Sequence, residues 1–191
     1  MIDPTNITNY NLTDDELEER ILWWICAAGK NGITAAKCLN TLLNKLKAFW
    51  SCGDKMSPFD LIKFSDIENL KEKMASSGIG CYNIKAKTFK ELVESKLNLR
   101  TCSVDDLEKI KGIGCKTSRC FIIHSRPNQQ LAGLDRHILN WLRDIGHKNI
   151  PISTPTGNKY KKIETIFLNE VKKSGKSVAE LDLEIWNRYR K

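Results

Sequence analysis

Residues 107–125 read Leu107-Glu108-Lys109-Ile110-Lys111-Gly112-Ile113-Gly114-Cys115-Lys116-Thr117-Ser118-Arg119-Cys120-Phe121-Ile122-Ile123-His124-Ser125. The pattern predicts a short helix, a Gly-x-Gly turn and a second helix, with Ser103-x-x-Asp106 favouring an N-terminus for the first. Glycine tolerates backbone angles that a Cβ forbids. Gly112 and Gly114 can therefore let several amides at the start of the second helix point outward at a phosphate. Such a grip holds a nucleic-acid backbone without reading its sequence. A tight turn between two helices would use the same two glycines, so the hairpin alone leaves both readings open.

Helical punctuation continues on either side. Thr13-Asp14-Asp15-Glu16 is a capping box ahead of the apolar Leu17, Ile21, Leu22, Trp24 and Ile25, in a helix expected to end near Gly29. A second helix is expected from about Thr34 to Trp50, with Leu39, Leu42, Leu43 and Leu46 on one face. Ser57-Pro58 supplies a cap and a first-turn proline. Further boxes are read at Ser65-x-x-Glu68 and Ser177-x-x-Glu180, and Gly78, Gly146 and Gly175 stand where helices should stop. No stretch alternates apolar and polar residues for long enough to read as a strand, so the fold class is all-α. Residues 147–157 hold two of the five prolines and are expected to form a loop linking two lobes.

Composition narrows the function classes. The 191 residues are 41% hydrophobic and 28% charged, enough for a good-sized core without a staple. No apolar run reaches the roughly 20 residues of a membrane span, and the acidic N-terminus lacks the layout of a secretion signal. A cytoplasmic or nucleoid location is expected. The seven cysteines form an odd set without a C-x-x-C pair, which argues for free thiols rather than disulfides or zinc. His124 and His147 have no partner at metal-ligand spacing, so no metal and no cofactor is expected. Net charge is +8: residues 1–20 carry one Arg against six acids, residues 21–135 carry 18 basic against 11 acidic, and residues 136–191 carry 12 against 6. The basic body favours a polyanion partner.

The hairpin has company that changes its meaning. Lys116 follows Gly112-Ile113-Gly114-Cys115 directly, and Asp135 lies 19 residues later in Leu134-Asp135-Arg136-His137-Ile138-Leu139. Upstream stands Gly78-Ile79-Gly80-Cys81-Tyr82-Asn83-Ile84-Lys85-Ala86-Lys87. Together these resemble the helix-hairpin-helix (HhH-GPD) superfamily of DNA glycosylases, with its hairpin, catalytic Lys, catalytic Asp and Gly-x-Tyr-x-x-Lys-Ala stretch. The likeness covers residues 20–146. It implies one domain of two helical lobes, a central lobe at 30–135 containing the hairpin at 104–125, and a second lobe from 1–29 plus 136–191. Many endonuclease III relatives carry an iron–sulfur cluster on four C-terminal cysteines; none follows Cys120 here, so no cluster is expected.

The chemistry explains the pairing. A neutral lysine amine can attack the anomeric carbon of a damaged nucleotide, displace the base and form a Schiff base that permits strand cleavage by β-elimination. At the start of a helix, near Lys111 and Arg119 and partly buried, Lys116 is expected to have a lowered pKa. Asp135 is expected to cap the next helix and offset positive charge developing on the sugar. Taken singly, a Lys is a solvated surface charge and an Asp before an apolar stripe is an N-cap.

Residues 177–191 resemble the end of archaeal-type (type 2) 8-oxoguanine DNA glycosylases, whose chains finish in a lysine. That likeness implies that Trp186 stacks on an extruded base and that the Lys191 carboxylate reads the nitrogen 7 proton of 8-oxoguanine, which guanine lacks. Trp186 as ordinary core beside Leu181 and Leu183 is the competing reading. Phosphate contacts are expected from Gly112, Gly114, Thr117 and His137. Lys30 and Asn31 fall in the superfamily's wedge region, where a polar turn between helices is also plausible; Gly29 stands where endonuclease III relatives often have Gln. The implied activity is a bifunctional 8-oxoguanine DNA glycosylase with AP lyase activity, acting as a monomer on double-stranded DNA containing a damaged base. A glycosylase/lyase for another base, and a non-catalytic helix-hairpin-helix DNA-binding module, are the alternatives.

Overall fold

The computed structural model describes residues 1–49 and 55–190. Among these residues the regular structure is helical, and the chain divides into two compact units: residues 1–4 with 11–114, and residues 5–10 with 115–191. The partition differs from the expected one. The boundary falls inside the hairpin, between Gly114 and Cys115, rather than near residues 29 and 135. The loop expected to link two lobes lies wholly within the second unit. Its Ile150 is buried in that unit's core, and Arg143 Nη1 donates to the Pro151 carbonyl at 2.6 Å, so the loop is tied down at both levels.

The first unit holds α1 (Asp14–Ala27), α2 (Gly32–Phe49), α3 (Pro58–Phe64), α4 (Ile67–Ser76), α5 (Tyr82–Glu94) and α6 (Val104–Glu108). The Thr13–Glu16 box starts α1, with both reciprocal bonds formed. Helices α1 and α2 pack together, and Leu17, Ile21 and Ile25 of the first and the stripe Leu39, Leu42 and Leu46 of the second are all buried. Trp50 lies outside the described residues, and α2 begins two residues before the expected Thr34 because Asn31 caps it. Ser57 and Pro58 open α3 as expected. The box read at Ser65 shifts by one residue: Asp66 caps α4 through bonds from Glu68 N and Asn69 N, while Ser65 turns back to the Leu61 carbonyl at 2.8 Å. A carboxylate is a better acceptor for two amides than a hydroxyl that can bond its own preceding turn.

The second unit holds α7 (Cys115–Ser125), α8 (Arg136–Asp144), α9 (Gly157–Ser174) and α10 (Val178–Tyr189). Ser177 and Glu180 form a full box at α10. The core joins Ile123 of α7, Leu139 and Leu142 of α8, Phe167 of α9, and Leu181 and Ile185 of α10. Trp141 sets its edge against Phe167 at 5.9 Å. Gly78, Gly146 and Gly175 all take positive φ at helix ends, as the sequence implies. No helix of the described residues is long and apolar enough to cross a membrane.

Candidate active site

The hairpin is built from the first unit up to Gly114. Gly112 has φ +101°, and a Cβ there would lie 2.2 Å from Thr88 Oγ1. Thr88 in turn donates to the Lys111 carbonyl at 2.8 Å, closing the turn. Both the angle and the space therefore demand glycine. Gly114 departs from expectation: its φ is not positive, and open space surrounds the position of an added Cβ. Its role in the turn is not conformational.

Lys116 is the second residue of α7, and Thr117 beside it is buried. Asp135 is the N-cap of α8, with extended backbone (φ −112°, ψ 179°). Its Oδ1 accepts from His137 N at 2.8 Å and Ile138 N at 3.0 Å. Its Oδ2 lies 3.8 Å from Lys116 Nζ, with side-chain exposures of 34% for Lys116 and 16% for Asp135. The cap reading and the catalytic reading of Asp135 thus use different oxygens of one carboxylate. Both side chains belong to the second unit.

The electrostatics correct one expectation. Burial works against the charged form of Lys116, but negative charge from Cys120, Asp135 and Asp182 outweighs it, and the amine's pKa is raised above the ordinary lysine value. Cys120 lies four residues on, at 2% exposure, and burial pushes its thiol far up, so its share of this effect arises only where the thiol ionises, well above neutral pH. Arg119 does not depress Lys116, because its guanidinium is turned to Glu164 at 3.1 Å. The resting amine is an ammonium and must lose a proton before it can attack.

His137 is 8% exposed, its Nδ1 is enclosed without a hydrogen-bond partner, and burial lowers its pKa, so the ring is neutral at neutral pH. Trp186 is half-buried outside the core cluster, with the Arg190 guanidinium 5.2 Å from its ring centroid; the core positions of α10 go to Leu181 and Ile185 instead. Lys191 lies outside the described residues. Both wedge candidates are engaged within the first unit. Lys30 Nζ donates to the Gly78 carbonyl at 2.7 Å, and Asn31 Oδ1 caps α2 by accepting from Ile33 N and Thr34 N. Lys85, quoted above only as part of a motif, is a buried cap for α1, donating to the Cys26 and Ala28 carbonyls at 2.9 and 3.1 Å.

Asp182 escaped the sequence reading. It sits in the apolar stripe of α10 between Leu181 and Ile185, and its Oδ2 meets His124 Nε2 at 3.0 Å. His124 Nδ1 pairs with Thr8 Oγ1 at 2.7 Å. An acid embedded among apolar helical positions is the signal that marks it. Among the described residues, no three His, Cys, Asp or Glu side chains converge as metal ligands.

An all-helical chain whose hairpin delivers a lysine to the carboxylate of the following helix cap has the fold of a helix-hairpin-helix DNA glycosylase. Solved 8-oxoguanine DNA glycosylases share this fold. The enzyme of Methanocaldococcus jannaschii superposes with a TM-score of 0.68 at 19% identity, covering 97% of this chain and 84% of that one. The same organism's glycosylase/lyase in complex with a 15mer DNA containing 8-oxoguanine gives 0.64 at 23% identity, covering 94% and 83%. The Thermotoga maritima 8-oxoguanine DNA glycosylase gives 0.68 at 19%, covering 93% and 81%. In sequence, the chain is 30% identical over 128 residues to the 8-oxoguanine DNA glycosylase/AP lyase of Methanocaldococcus jannaschii, a match spanning 62% of this chain and 61% of that protein. No family model matches the chain. The expected likeness to 8-oxoguanine DNA glycosylases is thereby borne out.

Proposed function

We propose that this protein is a bifunctional base-excision enzyme that removes 8-oxoguanine from double-stranded DNA and then cleaves the strand as an AP lyase. The observation that carries the proposal is the Lys116 amine facing the Asp135 carboxylate at 3.8 Å, on successive helices of one compact unit.

In this reading Lys116 first gives up a proton to water, and Asp135 stays ionised. The freed lone pair forms a bond to C1′ as the bond from C1′ to the base nitrogen breaks, and the base departs with that electron pair and gains a proton. Opening of the sugar ring at O4′ gives the Schiff base. Loss of a C2′ proton then expels the 3′ phosphate. The Asp135 charge offsets the positive charge that builds on the sugar while the glycosidic bond breaks. Phosphate contacts by Gly112, Gly114, Thr117 and His137, base stacking by Trp186 and base readout by Lys191 belong to the same proposal. Wedge roles for Lys30 and Asn31 would require them to leave their present partners.

The substrate is tested by incubating duplexes that carry 8-oxoguanine, an oxidised pyrimidine, an abasic site or undamaged guanine, and scoring base release and strand scission. Release and scission selective for 8-oxoguanine support the reading. Selectivity for the oxidised pyrimidine replaces the substrate, and binding without release on every duplex leaves a DNA-binding module.

A further inference from the structure

The backbone that presents Asp135 is irregular. It runs without helix from the end of α7 to the cap of α8, yet three successive residues of it are held from outside the loop. Tyr160 of α9 donates its hydroxyl to the Ala132 carbonyl at 2.5 Å and accepts from Leu134 N at 3.0 Å. Glu164, one turn further along α9, accepts from Ala132 N at 2.9 Å. Thr154 Oγ1 donates to the Leu134 carbonyl at 3.0 Å. Between them, Gly133 packs so close to α7 that a Cβ would sit 2.1 Å from Cys120 Sγ.

The same side chains reach the helix that carries Lys116. Glu164 Oε1 also accepts from Arg119 Nε at 3.1 Å. Arg119 stands three residues beyond Lys116, donates to the Cys115 carbonyl at 3.3 Å, and lies 4.8 Å from the centroid of the Tyr160 ring. One network therefore ties the lysine's helix start to the aspartate's loop. Tyr160 is 1% exposed, and the Arg119 and Glu164 side chains are 12% and 13% exposed. A buried ion pair of this kind is a weak source of stability, since apolar residues of equal volume often serve as well. What it supplies instead is a fixed geometry.

We propose that Tyr160, Glu164 and Arg119 are positioning residues that set the Asp135 carboxylate opposite the Lys116 amine by gripping the backbone of residues 132–134. The inference rests on the lysine-and-aspartate chemistry proposed above and deepens it. A displacement of about 1 Å at reacting groups can lower a rate by about a hundredfold, so a loop so closely held has a kinetic consequence.

The test uses Tyr160→Phe, which removes the hydroxyl and keeps the ring against Arg119, and Glu164→Gln, which keeps an acceptor for Ala132 N but loses the charge facing Arg119. Two readouts are taken on the intact chain: the single-turnover rate of base release from an 8-oxoguanine duplex, and the NMR titration of the Lys116 side chain, assigned by its loss in Lys116→Gln. Lys116 is faced by Cys120 on its own helix, Asp135 and His137 at α8, and Asp182 on α10. Of these, Asp135 is the one whose backbone the network holds. Tyr160→Phe should slow base release by about tenfold to a hundredfold, leave the half-saturating DNA concentration within about twofold, and move the Lys116 titration toward that of Asp135→Asn. In the Asp135→Asn background it should do neither again. An unchanged Lys116 titration in both variants, or equal losses with and without Asp135, would overturn the proposal. The Lys116 shift in Tyr160→Phe, found together with a wild-type protein that releases no base, would instead count against the enzymatic reading.

Discussion

Replacing Asp135 by Asn and by Ala separates its two jobs. Oδ1 caps α8 through two amides, while Oδ2 faces Lys116 at 3.8 Å. Asparagine caps a helix nearly as well as aspartate, whereas alanine loses about 0.5–2 kcal/mol. Asp135→Asn should therefore melt close to wild type and Asp135→Ala several degrees lower. The charge effect is larger. Two unit charges about 4 Å apart attract by about 1 kcal/mol in water and about 4 kcal/mol at the effective dielectric typical of protein surfaces. With Lys116 a third exposed, the pair falls between these limits, and its loss lowers the Lys116 pKa. More of the amine is then neutral at pH 7, and Schiff-base formation on a preformed abasic site should be preserved or faster. Base release from 8-oxoguanine loses the negative charge beside the sugar and should fall by about a hundredfold to a thousandfold. Single-turnover kinetics on the two duplexes, with thermal melting in parallel, read all of this. If Asp135→Asn releases base within threefold of wild type, or destabilises the fold as much as Asp135→Ala, the two-oxygen account of Asp135 is wrong.

Three further outcomes follow from the same structure. Because the Lys116 pKa is raised, the neutral fraction of the free enzyme should grow about tenfold per pH unit. The kcat/KM for trapping on abasic DNA should therefore climb from pH 6.5 to 9.5, and a plateau below pH 8 would contradict the raised value. Gly112→Ala meets both a positive φ and Thr88 Oγ1, so it should destabilise the fold by more than the roughly 1 kcal/mol of backbone strain alone, whereas Gly114→Ala should melt within a degree or two of wild type. Burial lowers the His137 pKa, so protonation favours the unfolded chain as pH falls below about 6.5. Wild type should lose melting temperature between pH 7 and pH 5 to a degree that His137→Gln does not, and equal losses would show the ring to be solvated.

Much of the fold was legible because helices announce themselves locally. The Thr13 and Ser177 boxes, the Ser57-Pro58 start and the leucine stripe of α2 each lie within one or two turns of chain. The Ser65 cap slipped by one residue because Ser65 and Asp66 both suit the position, and only the Leu61 carbonyl decides between them. Lys116 and Asp135 were legible through a spacing that the resemblance supplies. The pKa of Lys116 was not, since it depends on Asp182, 66 positions away in sequence and buried on another helix. Tyr160 and Glu164 share a face of α9 with Ile163 and Phe167, so a polar pair in an apolar stripe was visible. That it holds the backbone before Asp135 is a long-range fact. The unit boundary at Gly114 was equally hidden, because it interrupts a motif that reads as one piece.

The most direct measurement is to reduce the reaction on abasic-site DNA with borohydride, digest the protein and identify by mass spectrometry the amino acid left carrying the sugar. The account predicts that the adduct sits on Lys116 and vanishes in Lys116→Gln while DNA binding persists. A sugar found instead on another lysine or on the Met1 amine, or an adduct that survives Lys116→Gln at the wild-type rate, would contradict it.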